Sequence, residues 1–325
     1  MISSAASSTP VVLIIFNRPD LTKRVFEAIR QARPQRLFVI ADGPRNSQER
    51  LRCEQTRRVV EVLDWPCEVS RHYSDHNMGC RDRIASGLDW VFAQAPEAII
   101  LEDDCLPCQS FFGFCAELLD HYRQVDRVMH ISGSNFLVQR ATPYSYCFSR
   151  YAHIWGWATW ARAWRHMDLR LREWQRFRNS QIRELFPDKD ERSYWIQKLH
   201  PFFTGQRTDT WDHPWQYSIW AQRGVCIVPR TNLVANIGFG GDATHTQNTS
   251  SPISNLPVGE MPDGLQHPPE VGFDDEADRA VYLRVFGGER SKLRKSWRYR
   301  LSKPVRVYRK LRERWSGVRA VNASL

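Results

Sequence analysis

Three carboxylates, Glu102, Asp103 and Asp104, follow directly on the run Ala98-Ile-Ile-Leu101. Like charges this close repel unless a positive group sits among them. A divalent cation carrying a nucleotide diphosphate is a natural complement. The apolar run reads as a fully buried strand of a parallel sheet. Ligands of open α/β sheets bind outside the carboxyl ends of the strands. The plainer alternative is an acidic turn capping a helix that starts near Cys108, since Asp is a good N-cap.

Two other segments share this design. Val11–Phe16 is an apolar run ending in Asn17-Arg18-Pro19-Asp20, and Arg36–Ala41 is another ending in Asp42-Gly43-Pro44. Between them Leu21, Val25, Ala28, Ile29 and Ala32 form the stripe of an amphipathic helix. Strand, helix and strand in about thirty residues make one βαβ unit with parallel strands. If Ala98–Leu101 joins that sheet, Arg18, Asp42 and Glu102–Asp104 converge on one crevice. A helix over 47–63, a strand over Glu68–Tyr73, a helix over 81–93, another over 109–122 and a strand near Val128–Ile131 complete this half. Arg81 falls in the first turn of its helix, near the strand ends.

Beyond residue 132 the chain is aromatic and less regular. Trp157, Trp160 and Trp164 recur at helical spacing, which predicts a core-facing stripe for Trp160 and Trp164. Trp157 follows Gly156 at the expected loop-to-helix junction, where a flat apolar face could suit a sugar ring. Asp212 stands between Trp211 and Trp215, just before a helix over 214–223 and a strand over Val225–Val228. It is either an N-cap or a general base whose pKa the indole walls would raise. Ile237–His245 is a glycine-rich turn with a polar end, and Thr244–Glu270 lacks periodicity and reads as a mobile loop or lid. Dinucleotide, P-loop, HExxH and GxSxG motifs are absent, which removes support from dehydrogenase, kinase-type NTPase, zinc-hydrolase and serine-hydrolase readings.

The formal charge of +10 is uneven. Residues 284–319 hold fourteen Lys and Arg against two Glu, a balance of +12, so the remainder carries −2. Leu293, Trp297 and Leu301, and further on Val307, Tyr308, Leu311, Trp315 and Val318, fall on apolar helical faces among these cations. That pattern suits an anionic membrane surface; an acidic partner, nucleic acid or a docked, solvated helix are the other readings. No run of 18 apolar residues spans a membrane, and Met1–Thr9 lacks a signal-peptide pattern. Eight cysteines without framework spacing suggest reduced thiols and a cytoplasmic protein, with Cys105 and Cys108 a lone CxxC. Thirteen Trp predict that several line a cleft.

The order of Asn17-Arg18, Ala41-Asp42-Gly43, the Arg81–Phe92 helix, Leu101-Glu-Asp-Asp104, Trp155-Gly-Trp157 and Thr210-Trp-Asp212 resembles the inverting glycosyltransferases of the GT-A fold. It is similar to N-acetylglucosaminyltransferase I and to bacterial nucleotide-diphospho-sugar transferases. The resemblance implies an α/β, Rossmann-like central sheet with flanking helices, to which the charge pattern adds a basic helical C-terminal tail. It implies Asp104 as ligand of Mn²⁺ or Mg²⁺, Asp103 against ribose or donor sugar, and Glu102 on metal-bound water. Arg18 and Asp42 would grip the nucleotide, Asp42 reading an imide-type N–H of a pyrimidine. Arg81 would face the nucleotide, His245 would lie near the diphosphate, and Asp212 would be the base that deprotonates the acceptor hydroxyl.

The expected organisation is a flexible 1–9, a nucleotide-sugar-binding half over 10–131, an acceptor-binding half over 132–245, a mobile loop over 246–272 and the tail over 273–325. The expected activity is metal-dependent transfer of a sugar, by single displacement, to a glycan or glycolipid hydroxyl. Cell-surface polysaccharide biosynthesis at the inner face of a membrane is the expected setting. A sugar nucleotidyltransferase and a non-catalytic nucleotide- or glycan-binding protein on the same fold are the alternatives.

Overall fold

The computed structural model describes residues 8–137, 142–239, 253 and 256–287. The first half runs β1 (Val11–Ile15), α1 (Pro19–Ala32), β2 (Arg36–Ala41), α2 (Ser47–Val59), β3 (Glu68–Tyr73), α3 (Cys80–Phe92) and β4 (Glu97–Glu102). It continues with β5 (Cys105–Pro107), α4 (Ser110–His121) and β6 (Val128–Ser132). The second half holds β7 (Tyr146–Ser149), β8 (Trp157–Trp160), α5 (Ala161–Trp164), α6 (Trp174–Asn179), α7 (Gln181–Leu185) and α8 (Lys189–Phe203). Then come α9 (Asp212–Ala221), β9 (Val225–Pro229), β10 (Val234–Asn236) and α10 (Asp275–Arg284).

Eight strands form one mixed sheet in the order β3-β2-β1-β4-β8-β6-β9-β7, so the fold is α/β with flanking helices. The first four are mutually parallel, with Val11 opposite Leu37 and Ile99, and Ile14 opposite Glu102. The expected βαβ unit is present, and the ends of β1, β2 and β4 share one edge. β8 runs antiparallel between β4 and β6, which returns β6 and β9 to the direction of β4. The expected boundary at 131/132 therefore falls within one continuous sheet.

Alternation along the strands divides the core into two layers. Val11, Leu13 and Ile15 pack with α1 and α4 on one face, while Val12 and Ile14 pack with α3 and α9 on the other. α1 starts with Pro19 in its first turn and ends on Arg33 in the left-handed region (φ 50), which lets the Arg33 N–H reach Ile29 O.

Three expectations need correction. Residues 157–160 are a strand, not the start of a helix: Trp157 points into one core layer, and Ala158 and Trp160 into the other. Aromatic and Thr residues favour strands, and the spacing of three also fits a strand followed by one helical turn. Trp157 is fully buried, stacked between His130 (5.1 Å) and Trp211 (5.3 Å), so it offers no face to a sugar. Many of the tryptophans are likewise core: Trp160, Trp164, Trp174, Trp211, Trp215 and Trp220 are all within 2% of full burial. Truncating a buried indole costs about 3–5 kcal/mol, which gives this cluster its structural role.

The third correction concerns the expected mobile loop, whose described part, 256–272, is a packed strap. Gln266 exchanges bonds with Ser145 (O···N and N···Oγ both 2.9 Å), Met261 N donates to Ser110 Oγ (2.8 Å), and Met261 and Leu265 enter the core. Residues 246–252 and 254–255 lie outside the described residues.

The chain divides into two compact units, Met1–Arg279 and Ala280–Leu325. The second is described only to residue 287, so the basic tail from 288 onward falls outside. α10 opens with Asp275, Glu276 and Asp278, which suits a helix N-terminus. No helix among the described residues is long and apolar enough to cross a membrane.

Candidate active site

β4 delivers Glu102 as its last residue, and the chain turns through Asp103 and Asp104 into β5. The sequence could not show what secures this turn. β5 pairs antiparallel with β10, placing Asn236 opposite Cys105, and Ile237 N donates to Asp104 O (2.8 Å). Both strands are three residues long, too short to carry a period. Gly238 then lies directly over the Asp104 carboxylate: a Cβ there would stand 2.2 Å from Oδ2 and 2.8 Å from Cγ. Only glycine permits this approach. Gly238→Ala should push Asp104 off its place, cost about 1–3 kcal/mol in urea unfolding and weaken nucleotide binding. An alanine variant of unchanged stability and affinity would show that the turn gives way.

Arg18 is held at the start of α1 and reaches across β1 to the same turn. Its Nη1 donates to Asp104 Oδ2 (2.9 Å) and lies 3.7 Å from Asp103 Oδ1. Phe16 N, the peptide after β1, donates to Asp103 Oδ2 (3.3 Å). These contacts leave negative charge in excess. Burial, then the charge of Asp104, pushes the Asp103 carboxyl up to about 7, against the pull of Arg18 and of Phe16 N–H. Glu102 is pushed well above the usual carboxylate range by burial, then by Asp104, Asp103 and Asp212.

That last influence places Asp212 in the same crevice. The Cys80 thiol gives a second witness, because burial and then Glu102, Asp212, Asp42 and Asp104 all raise its pKa. Cys80 opens α3 and was not singled out in the sequence. Arg18, Asp42, Glu102–Asp104 and Asp212, drawn from four separate segments, therefore lie within electrostatic reach of one sheet edge.

Asp212 is the first residue of α9; Trp211 holds the cap position and makes no side-chain cap bond. Its carboxylate accepts bonds from the Thr210 hydroxyl and from His213 Nδ1 (3.0 Å). The expectation that indole walls raise its pKa is overturned. Burial does act upward, but the charge and ring N–H of His213, the Thr210 hydroxyl and the His213 peptide N–H outweigh it and hold the carboxyl well below its usual range.

Asp42 also departs from its expected role. Its Oδ1 accepts from Gly43 N (2.9 Å) and Met78 N (2.9 Å), and its Oδ2 from Asn77 Nδ2 (2.9 Å) and Gly79 N (3.1 Å). Four donors fill a carboxylate's acceptor sites, so Asp42 knits the 77–79 loop to the end of β2 rather than presenting a free oxygen to a base. The Arg81 guanidinium is turned onto its neighbour Asp82 (Nε to Oδ1, 2.8 Å). His245 lies outside the described residues.

Trp155, two residues before the buried Trp157, is only half-buried. Its ring meets Phe239 edge-on at 5.6 Å, immediately after Gly238. Gly156 sits at φ 63 between the two tryptophans, so they do not continue one strand face.

A separate cavity of about 720 Å³ lies toward the opposite edge, lined in part by Arg127, Arg162, Arg165 and Arg223. Arg162 is consumed by four main-chain carbonyls and Arg223 pairs with Glu184. Among the described residues, no three His, Cys, Asp or Glu side chains close around a common metal position. The chain matches no protein-family model and no curated protein.

Proposed function

We propose that this chain is a GT-A-type inverting glycosyltransferase that moves a sugar from a nucleotide-diphospho-sugar to a glycan or glycolipid hydroxyl. The observation that carries the reading is the meeting of Arg18, Glu102, Asp103 and Asp104 with the Asp212–His213 pair at the carboxyl edge of parallel strands. Among the described residues, one arginine faces this many carboxylates at the turn, which leaves the described site short of positive charge. Mn²⁺ or Mg²⁺ fits that deficit. Asp104 would hold the ion, with Glu102 and Asp103 behind it, and the missing ligands would be phosphate oxygens and water, as hard cations accept. When bound, the ion would neutralise charge on the departing diphosphate.

The chain's own residues do the rest. Arg18, 2.9 Å from Asp104, supplies a positive charge close to where a β-phosphate would leave. Asp103 and Glu102 set the electrostatic demand that selects an ion-loaded diphosphate over a bare sugar. A base opposite the leaving group gives a single displacement with inversion and contributes ~10²–10⁴-fold. Trp155 and Phe239 offer ring faces beside the turn for a sugar. The unmatched carboxylates and the base favour this reading over a non-catalytic binder. The +12 balance of residues 284–319 supports peripheral attachment to anionic membrane and a lipid-linked acceptor.

The direct experiment is a thermal-shift screen of nucleotide sugars with Mn²⁺ present and with chelator. At least one nucleotide-diphospho-sugar should raise the melting temperature only with the ion, and the same compound should be turned over or slowly hydrolysed. A panel without any ion-dependent shift would sink the proposal.

A further inference from the structure

Asp212 and His213 form a pair whose geometry decides where a proton can go. His213 Nδ1 lies 3.0 Å from Asp212 Oδ1, and the Thr210 hydroxyl donates to the same oxygen. A carboxylate is acceptor-only, so Nδ1 carries a hydrogen, and in the neutral imidazole Nε2 then keeps its lone pair. Among the described residues no hydrogen bond reaches Nε2. The imidazole lies flat on Phe202 (5.5 Å, 19° between planes), which fixes the ring while 21% of the side chain stays open to solvent. Titratable groups face the pair from each side: Asp212 raises the pKa of Glu102 at the end of β4 and of Cys80 on α3, and Arg207, paired with Asp209, packs over the same Phe202 ring.

A proton delivered to Asp212 would discharge an anion that these donors hold in place. A proton delivered to His213 Nε2 creates an imidazolium next to an intact carboxylate, which is the favourable arrangement of an Asp–His pair. We propose that His213 Nε2, not Asp212, is the general base toward the acceptor hydroxyl, with Asp212 as the positioning residue that fixes its tautomer. The inference rests on the glycosyl-transfer reading above. In the step, the acceptor oxygen bonds to the anomeric carbon as its proton passes to Nε2. The bond from that carbon to the diphosphate oxygen breaks, and the electron pair leaves with the diphosphate. The imidazolium later returns its proton to water. The two adjacent side chains thus divide orientation and proton transfer between them.

The test compares full-length wild type with His213→Gln, using the nucleotide sugar identified by thermal shift. His213→Gln should lower kcat by ~10²-fold or more, remove the acid limb of the pH–rate profile and leave nucleotide affinity by calorimetry unchanged. A variant within tenfold of wild-type kcat would overturn the inference and return the base to Asp212. Nitrogen-15 NMR of wild-type imidazoles provides a reading that needs no turnover: His213 should carry its proton on Nδ1 when neutral, and should lose that preference in Asp212→Asn. A His213 protonated at Nε2 in the wild type would equally overturn it. Failure of the unmodified chain to bind any nucleotide sugar would instead bring down the parent reading, and this inference with it. Binding intact beside an active His213→Gln would bring down the inference alone.

Discussion

Asp104→Asn is expected to abolish divalent-ion-dependent nucleotide binding. The side chain is only 15% exposed, accepts from Arg18 at 2.9 Å and is pinned from above by Gly238. Asparagine keeps the shape and one oxygen but withdraws the negative charge that a cation requires. Removing one partner of a desolvated charge pair costs about 2–5 kcal/mol, which is ~30-fold or more in affinity. Calorimetry with the responding nucleotide, in Mn²⁺ and in chelator, checks it. Affinity that depends on the ion as strongly in the variant as in wild type would remove Asp104 from the metal site.

The second large effect is on stability. Asp103→Asn should make the chelator-treated protein more stable at pH 8 while it destroys activity. An acid with its folded pKa raised to about 7 binds more protons folded than unfolded between about pH 4 and pH 7. Stability therefore falls as pH rises through that window, by at most about 1.4 kcal/mol per pH unit for one group. The cost persists above pH 7, and asparagine removes it, a gain on the order of 2–4 kcal/mol that should vanish near pH 4.

Two buried imidazoles act in the opposite sense. Burial pushes His130 down to about 3 and His153 down to about 4, so the unfolded chain takes up their protons first and stability falls as pH drops below about 6.5. Wild type should thus vary little between pH 6.5 and 4, because the acids and the imidazoles oppose each other, and Asp103→Asn should uncover the acid-side loss. Urea unfolding at pH 4.5, 6 and 8 reads this directly. Equal stability of the two proteins at pH 8 would mean that Asp103 bears no electrostatic strain.

The parallel half of the fold was legible because its signals are local and strong. Unbroken apolar runs marked β1, β2 and β4, and the stripe from Leu21 to Ala32 marked the crossover that makes β1 and β2 parallel. Parallelism in turn told which residues share an edge, so Arg18 and Asp104 could be paired across 86 positions. The second half resisted for physical reasons. In Trp157–Trp160 the same aromatics satisfy a helical and a strand period, and tertiary packing between β4 and β6 decides. β5 and β10 exist only through each other, 127 residues apart from Pro107 to Val234, and leave no trace in either segment alone.

Side-chain direction was the other blind spot. Asp42 stood where expected, yet its oxygens had been claimed by a loop thirty-five residues on. Asp212 follows Trp211 in sequence, but the neighbours that set its basicity are a threonine two positions back and the next histidine. Sequence located the carboxylates; only the hydrogen-bond partners showed which remain available.

The Arg18–Asp104 contact gives the free protein a latch. On the proposed reading, Arg18 neutralises Asp104 until a diphosphate offers the guanidinium a better partner. Each ligand thereby raises the affinity for the other, by a reciprocal factor that linkage requires. Such a lock would keep stray ions from settling alone, and would tie loading to the arrival of an intact activated donor.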